Sequence, residues 1–333
     1  MYKLPDRSSG TSFDTIGILT SGGDAPGMNA AIRALVRAAL NQKIKVYGIQ
    51  RGFAGLIGGD MRRMSSASVS NIIQRGGTLL KSNRCEAFKT VEGRHQAAEA
   101  LRKKGIQALI CIGGDGTLTG AHLLARESGM TVIGLPCTID NDIYGSDDSI
   151  GFDTAVNTAI DAIDRIRDTA LSHERLFLVE VMGRKSGFIA TQVGIACGAE
   201  MILIPEYPRA LDSISHTLAS NRKAGRGSSG IIVVAEGTEP GLTERLAGYL
   251  RQHGEEPRIC ILGHIQRGGS PTGHDRVLAS CMGATAINYL QAGYTDVMVA
   301  TLGRELIPAP LGDITARRKH DPRLSELVML LHK

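Results

Sequence analysis

The sequence contains no tryptophan, and phenylalanine, tryptophan and tyrosine together make up only 4% of its 333 residues. A platform for stacking single-stranded nucleic acid needs aromatic side chains, so such a platform is poorly supplied. The net charge of +5 is modest, and no basic run is longer than Arg317-Arg318-Lys319. The composition therefore argues against nucleic-acid partners and suits small anionic ligands.

The sequence also lacks a recognisable signal peptide and any apolar stretch long enough to span a bilayer. Its six cysteines form no Cys-x-x-Cys pair, and several lie inside apolar runs, where buried reduced thiols are expected. These features predict a cytoplasmic protein with no membrane partner.

Hydrophobic residues account for 42% of the chain and charged residues for 21%, which is typical of a folded globular protein. The length exceeds that of an ordinary single core, so two domains are predicted. Strand-like runs alternate with helical patterns, which predicts α/β domains with parallel sheets and ligands at the strand carboxyl ends. The predicted strands are residues 16–19, 46–49, 108–112, 132–135, 176–181, 201–204, 231–235, 259–262 and 297–300.

A glycine-rich turn, Thr20-Ser-Gly-Gly-Asp-Ala-Pro-Gly27, joins the first predicted strand to a helix. Apolar residues then recur at helical spacing from Met28 to Ala39. A strand, glycine-rich turn and helix in this order aim backbone N–H groups and the positive helix end at an anion. A tight turn without a ligand needs glycine for the same backbone reasons, so both interpretations stay open.

A second turn of this kind, Gly113-Gly-Asp-Gly-Thr117, follows the strand at 108–112. Its glycines would let the backbone approach a polyphosphate, and Asp115 is a candidate ligand for a bridging divalent cation. The motif is neither a Walker A loop nor a dinucleotide Gly-x-Gly-x-x-Gly fingerprint. Two such turns are harder to explain as structure alone than one.

The stretch Leu135-Pro-Cys-Thr-Ile-Asp-Asn-Asp142 places two carboxylates two residues apart after an apolar strand. In an extended segment Asp140 and Asp142 would face the same side. Two like charges held that close need a cation or a proton-transfer role to be tolerated. A polar turn leaving a strand is the simpler explanation of the stretch taken by itself.

Arginines recur in short polar or glycine-flanked settings, at positions 84, 175, 184, 258 and 267. The planar guanidinium fork suits phosphate, although any one of these residues is more often a surface ion pair. His264 directly follows a predicted buried strand, three residues before Arg267. Glu236 ends another apolar run, where it would accept sugar hydroxyls or cap a turn.

Five ordered motifs resemble the bacterial ATP-dependent 6-phosphofructokinase family. They are Leu19-Thr-Ser-Gly-Gly-Asp-Ala-Pro-Gly-Met-Asn29, Gly113-Gly-Asp-Gly116, Thr138-Ile-Asp-Asn-Asp142, Met182-Gly-Arg184 and Gly263-His-Ile-Gln-Arg-Gly-Gly-Ser-Pro271. The resemblance extends from about Thr15 to Gly303, and several motifs in order are specific where one is not.

The resemblance implies two Rossmann-like, three-layer α/β domains with mainly parallel sheets and the active site in the cleft between them. Residues 15–151 plus 266–317 would bind ATP, and residues 152–265 plus 318–333 would bind fructose 6-phosphate. Residues 1–14 would form a flexible leader. A homotetramer is implied in which Arg175 and Arg258 reach into a neighbouring active site.

The resemblance also implies a role for each motif residue. Asp140 would be the general base, supported by Thr138, and Arg184 would lie near the transferring phosphoryl group. The residues implied to hold ATP are Gly23, Arg84, Cys85, Asp115, Gly116, Thr117 and Gly120. Asp115 and Asp142 would hold Mg²⁺. The residues implied to contact the sugar phosphate are Thr138, Asp140, Asp142, Arg175, Met182, Gly183, Arg184, Glu236, Arg258, His264 and Arg267.

Some positions depart from the family pattern. Pyrophosphate-using relatives tend to have Asp at the position of Gly116 and Lys at that of Cys137, whereas ATP users typically have Gly at the latter. Gly116 therefore favours ATP, and Cys137 matches neither the ATP-using nor the pyrophosphate-using relatives. Phe53 replaces a tyrosine common beside adenine, and Phe188 replaces a frequent aspartate. The alternatives are a pyrophosphate-dependent enzyme, a lipid or NAD kinase sharing Gly-Gly-Asp-Gly-Thr, and a non-catalytic nucleotide or sugar-phosphate sensor.

Arg33, Arg37, Arg167 and Glu200 match family positions for the effectors ADP or phosphoenolpyruvate. The basic pair expected just before the strand at 231–235 is replaced by Gly225-Arg-Gly-Ser228, where Arg226 is a candidate substitute for one lysine. Weakened or altered allosteric control is therefore expected.

Overall fold

The structure of the protein is a computed structural model that describes residues 2, 10–223, 230–319 and 322–331. Its strands are β1 (Thr15–Thr20), β2 (Lys45–Ile49), β3 (Met61–Met64), β4 (Ala108–Gly113), β5 (Thr131–Pro136), β6 (Leu176–Val181), β7 (Met201–Leu203), β8 (Gly230–Ala235), β9 (Arg258–Ile261), β10 (Val297–Leu302) and β11 (Glu305–Pro310). Its helices are α1 (Met28–Asn41), α2 (Gly52–Ile57), α3 (Val91–Lys103), α4 (Asp115–Ser128), α5 (Phe152–Ser172), α6 (Phe188–Ala196), α7 (Leu211–Lys223), α8 (Leu242–Gln252), α9 (Gly273–Gln291), α10 (Leu311–Thr315) and α11 (Pro322–Leu331).

The described residues divide into two compact units. The first contains residues up to 154 together with 267–319, and the second contains residues 155–266 together with α11. Most of the predicted leader, at residues 3–9, and Arg226 lie outside the described residues. Among the described residues, no helix combines the length and the apolar character needed to cross a membrane.

The first unit is built on a seven-stranded sheet with the order β11-β10-β5-β4-β1-β2-β3. Its central strands β1 and β4 are buried along their whole length, because helices cover both faces of the sheet. α1 packs its apolar stripe inward and also contacts α9. The five inner strands are parallel, so the turns after β1, β4 and β5 emerge at the same edge.

The second unit has a four-stranded parallel sheet with the order β7-β8-β6-β9. β8 is buried throughout, whereas β9 lies at the sheet edge and exposes both of its terminal residues, Arg258 and Ile261. The turns after β6 and β8 leave from one end of this sheet.

The predicted α/β class with mainly parallel sheets is confirmed, and all nine predicted strands are present. Sequence analysis missed β3 and β11, which pair antiparallel with their neighbours at the two edges of the large sheet. β11 contains Pro308 and Pro310, which argue against a central strand but are tolerated at an edge. Short helices such as α2 and α6 were also missed, because they carry little periodic signal.

Candidate active site

The turns after β1, β4 and β5 meet at the carboxyl edge of the large sheet. The Ser21 N–H donates to the Ile112 carbonyl oxygen at 3.1 Å, and the Cys137 N–H donates to that of Gly113 at 3.0 Å. These bonds continue the sheet into the turns, so the predicted glycine motifs and the Thr138–Asp142 stretch become neighbours. In α/β proteins, ligands bind outside the carboxyl ends of parallel strands, which is where these turns lie.

Glycine is required at the centre of this arrangement. A Cβ atom on Gly113 would lie 2.5 Å from the Thr117 Oγ1 and 2.6 Å from the Ser21 carbonyl oxygen. Thr117 is itself buried, and its hydroxyl also lies 3.3 Å from where a Cβ of Gly22 would stand. The two glycine turns therefore pack directly against each other.

The outer side of the second turn is open. A Cβ atom on Gly116 would meet no described atom within 4 Å, and Asp115 beside it is exposed at the first residue of α4. The N-terminus of this 14-residue helix presents backbone N–H groups and a positive dipole end to the open space. An anionic group of a ligand would be favoured there.

Arg267 lies against the first turn. Its Nη1 atom would be 2.6 Å from a Cβ on Gly23, and it donates to the Asp24 carbonyl oxygen at 3.3 Å. Sequence analysis grouped Arg267 with the sugar-phosphate residues. The structure places its guanidinium beside the glycine turn of the first unit.

The rings of two phenylalanines pack next to Gly120. The Phe53 and Phe88 rings stack with centroids 3.8 Å apart, and a Cβ on Gly120 would approach each ring within 3.2 Å. Arg84 is exposed in the loop that leads to Phe88, while Cys85 is half-buried and packs against the core. The predicted nucleotide residues thus combine an apolar wall with backbone donors and an arginine.

Asp140 is almost fully buried, with 2% of its surface exposed. Its backbone N–H donates to the Thr138 Oγ1 at 3.2 Å, which closes a local side-chain turn. The Ser149 hydroxyl donates to the Thr138 carbonyl oxygen at 2.7 Å, so the backbone on both sides of Ile139 is fixed. The turn interpretation of this stretch and a catalytic role are therefore compatible, because the turn holds the carboxylate in place.

The chemistry of the available donors fits Mg²⁺. Asp115 is exposed and Asp142 is half-exposed, and both offer the hard carboxylate oxygens that this ion prefers. Across the described ranges there is no group of three or more His, Cys, Asp or Glu residues suited to enclosing a metal. Mg²⁺ is commonly held by one or two carboxylates together with substrate phosphates and water, so an all-protein cage is not required.

In the second unit, the turn Met182–Arg184 follows β6 and is held at both of its ends. The Met182 N–H donates to the Gln266 Oε1, and the Arg184 N–H donates to the Glu236 Oε1, both at 2.8 Å. Gly183 has a φ of 146°, which favours glycine. Glu236 thus binds the backbone of the turn, and Arg184 is exposed at its end.

The structure separates two predicted arginines from the other residues of the second unit. Arg175 precedes β6 and Arg258 begins β9, so both lie at the amino ends of neighbouring strands. Met182, Glu236 and His264 follow the carboxyl ends of β6, β8 and β9. A six-residue strand spans roughly 20 Å, so Arg175 and Arg258 do not join this cluster within one chain.

The predicted effector residues form two pairs. Arg33 and Arg37 lie one turn apart on α1. Arg167 and Glu200 approach to 3.8 Å in the second unit, where Glu200 also accepts the Ile231 N–H. The structure does not describe Arg226, so its substitution for a lysine stays a prediction.

Sequence analysis missed a buried carboxylate, Asp275, near the start of α9. It accepts the Gly151 N–H at 2.9 Å and the Thr154 N–H at 2.8 Å, and burial raises its pKa through desolvation, which these hydrogen bonds oppose. The one available sequence signal was a helix start. Thr272 precedes α9, and its hydroxyl accepts the Asp275 N–H.

A family model described as phosphofructokinase matches residues 15–290 of the chain. The ATP-dependent 6-phosphofructokinase 1 of Thermus thermophilus is 54% identical over 305 residues, which cover 91% of this chain and 94% of that one. The ATP-dependent 6-phosphofructokinase of Coxiella burnetii is 52% identical over 304 residues, which cover 91% of this chain and 93% of that one.

Solved structures show the same fold. A phosphofructokinase structure from Saccharomyces cerevisiae has a TM-score of 0.84 at 33% identity, covering 96% of this chain and 47% of that longer chain. A pyrophosphate-dependent phosphofructokinase from Marinobacter aquaeolei has a TM-score of 0.82 at 22% identity, covering 96% of this chain and 91% of that one. The second likeness concerns the fold alone.

Proposed function

The chain belongs to the phosphofructokinase family, and from this we propose that it transfers the γ-phosphate of ATP to the 1-hydroxyl of D-fructose 6-phosphate. The products are fructose 1,6-bisphosphate and ADP, and the reaction commits sugar to glycolysis. The observation that carries the proposal is the buried Asp140, held in a turn beside two glycine turns that open onto a helix N-terminus.

Asp140 is the general base of the proposed reaction. Its carboxylate accepts the proton of the 1-hydroxyl as that oxygen forms a bond to the γ-phosphorus and the bond to the ADP oxygen breaks. Thr138 contributes by accepting the Asp140 N–H, which fixes the backbone that carries the base. Phosphoryl transfer depends mainly on such positioning and on charge stabilisation.

ATP is the co-substrate. The β1 and β4 turns offer backbone N–H groups to its phosphates, with Gly23, Thr117 and the open position at Gly116 shaping the space. Arg84, Cys85 and Gly120 complete the nucleotide site. Asp115 and Asp142 would hold Mg²⁺, which would neutralise part of the phosphate charge.

Sugar-phosphate recognition is assigned mainly to residues of the second unit. Met182, Gly183 and Glu236 contact the sugar, Arg184 stabilises the transferring phosphoryl group, and His264 binds the 6-phosphate together with Arg267. Arg175 and Arg258 are proposed to serve the site of a neighbouring copy in a homotetramer, a role consistent with their location at the opposite strand ends.

The units are assigned accordingly. The first unit is proposed to be the ATP-binding domain, which the resemblance predicts at residues 15–151 plus 266–317, and the second unit the fructose 6-phosphate-binding domain, predicted at residues 152–265 plus 318–333. The units of the structure instead divide after residues 154, 266 and 319. A cytoplasmic location is proposed because glycolytic substrates are found there.

Donor and acceptor panels test the proposal. Purified protein with Mg²⁺ is supplied with fructose 6-phosphate and either ATP or pyrophosphate, and sugar bisphosphate is measured directly. We expect turnover with ATP and at most trace turnover with pyrophosphate. Equal or greater turnover with pyrophosphate would support the pyrophosphate-dependent alternative, and ligand binding without product would support the sensor.

A further inference from the structure

We propose that Thr301 is a positioning residue that holds the loop carrying the general base in its reactive conformation. This inference rests on the proposed function and adds a residue that lies far from the loop in sequence. The loop, residues 137–151, joins β5 to α5 and contains no helix or strand of its own, and all of its residues are described. Loops of this length without secondary structure are uncommon in compact domains and are usually functional or disordered, so an ordered one depends on contacts with other elements.

Thr301 lies near the carboxyl end of β10, the strand beside β5 in the sheet, and is fully buried. All of its polar groups contact the loop. Its backbone N–H donates to the Ser146 Oγ at 3.0 Å, and its carbonyl oxygen accepts the Asp147 N–H at 2.9 Å. Its Oγ1 accepts the Asp148 N–H at 2.8 Å and lies 3.0 Å from the Ser146 Oγ.

The segment that hydrogen-bonds to Thr301, residues 146–148, in turn contacts the residues next to the proposed base, Asp140. The Asp147 carbonyl oxygen accepts a hydrogen bond from the Asn141 Nδ2 at 3.1 Å. Asn141 follows Asp140 directly and has a φ of 49°, a left-handed conformation that needs local support. Ser149, on the other side of this segment, donates to the Thr138 carbonyl oxygen.

These contacts form a continuous chain from Thr301 through residues 146–149 to the Thr138 carbonyl group on one side of Asp140 and the Asn141 side chain on the other. No step requires Thr301 to touch a substrate. Its hydroxyl is the part of this chain of contacts that can be removed without altering the strand, because valine has the same shape and keeps the backbone bonds. A small displacement of a catalytic group lowers turnover strongly, so loss of the hydroxyl should appear in kcat.

The test compares Thr301→Val, Thr301→Ser and Thr285→Val in the full-length protein. Thr285 is an equally buried threonine on α9 whose hydroxyl has no hydrogen-bond partner among the described residues, so it is a matched control for the substitution itself. We expect Thr301→Val to lower kcat about tenfold with both KM values changed less than about twofold. Thr301→Ser should restore most of the turnover, and Thr285→Val should match the wild type.

A second variant keeps the test decisive if Thr301→Val folds poorly. Ser146→Ala removes the partner hydroxyl alone, and we expect it to lower kcat about threefold. If both single variants fold, the double variant should lose less than the product of the single effects, because the two hydroxyls act on one segment.

Unchanged kcat per folded molecule in Thr301→Val and Ser146→Ala, with only a lowered unfolding midpoint, would overturn the inference. A decrease of equal size in Thr285→Val would also overturn it. Failure of the proposed function is a different result, because the wild-type protein itself would then make no fructose 1,6-bisphosphate.

Discussion

The two units differ in how they present the residues proposed to act in the reaction. In the first unit, Thr138 and Asp140 are buried in turns that bond to one another and to neighbouring strands. In the second unit, Arg184 and His264 are exposed, although the turn beneath Arg184 is held by Glu236 and Gln266. The backbone is held by hydrogen bonds in both units, but only in the first unit is the proposed reactive side chain, Asp140, also buried.

This difference indicates a division of work between chemistry and recognition. A general base acts best when its position is determined before the substrate arrives. Exposed cationic side chains attract a charged substrate and stay hydrated until the substrate binds. Substitutions in the buried Thr138–Asp140 turn of the first unit should therefore lower kcat, and those at the exposed Arg184 and His264 of the second unit should mainly raise KM.

The largest effect is expected for Asp140→Asn. The amide keeps the shape of the side chain but cannot accept the proton, so kcat should fall about 10²–10⁴-fold while both substrates still bind. Steady-state kinetics and equilibrium binding of each substrate check this. Asp161→Asn, on the exposed face of α5, is the control and should leave kcat unchanged. Near-normal turnover of Asp140→Asn would reject the assignment.

His264→Ala should produce the opposite pattern. Loss of a hydrogen bond to a charged phosphate typically costs about 1.5–3 kcal/mol, so the KM for fructose 6-phosphate should rise about tenfold or more. The value of kcat at saturation should fall much less. Initial rates over a range of sugar phosphate measure both. A selective loss of kcat with unchanged KM would remove the distinction between the units.

Two arginine–glutamate pairs extend the comparison to stability. Arg94 is 5% exposed and forms hydrogen bonds to Glu127 through Nε and Nη2, each at 2.7 Å. Arg245 forms a similar bidentate pair with Glu239, but both side chains are about half exposed. We expect Glu127→Gln to lower the free energy of unfolding by about 1–3 kcal/mol and Glu239→Gln to have no measurable effect.

The pH dependence gives a further check on the buried pair. Hydrogen bonding to Arg94 lowers the pKa of Glu127 below its ordinary value of 4.5. The stabilisation is therefore complete above about pH 4.5 and is lost as the pH falls through the lower folded-state pKa. Urea unfolding at neutral and acidic pH should show the gap between wild type and Glu127→Gln narrowing in acid. A gap that widened in acid would contradict the assignment.

The smallest effect is expected from effectors. Glycine and serine flank Arg226 where the family resemblance predicts a basic pair, so ADP or phosphoenolpyruvate should shift the response to fructose 6-phosphate only weakly. Activity curves with and without each effector measure the shift. A strong sigmoidal response to phosphoenolpyruvate that ADP relieves would contradict this prediction.

The local patterns predicted much of this architecture. The glycine turns, the Asp140 stretch and all nine strongly apolar strands could be recognised because each is encoded in a continuous segment. Sequence analysis did not find contacts that join distant segments. Thr301 lies one residue beyond the predicted strand at 297–300 and carries no local signal until β10 is known to lie beside β5, and Asp275 resembles a solvated helix residue until its burial is known.

The edges of the large sheet show the same limit. β3 and β11 carry charged residues or prolines that local rules exclude from central strands, and only the strand order explains why they are accepted. For Arg175 and Arg258, by contrast, the resemblance already predicted that they reach the sugar-phosphate site of a neighbouring copy. The strand directions separate them from the other sugar-phosphate residues within one chain.

The most direct test of the proposed reaction is a single-turnover experiment in which the enzyme is in excess over fructose 6-phosphate and both ATP and Mg²⁺ are present. The reaction is quenched and its products are analysed by phosphorus NMR. The proposal predicts a new phosphate ester at carbon 1 and one ADP per sugar, with neither formed at a comparable rate by Asp140→Asn. Release of inorganic phosphate without a sugar bisphosphate, or an equally fast transfer by Asp140→Asn, would contradict it.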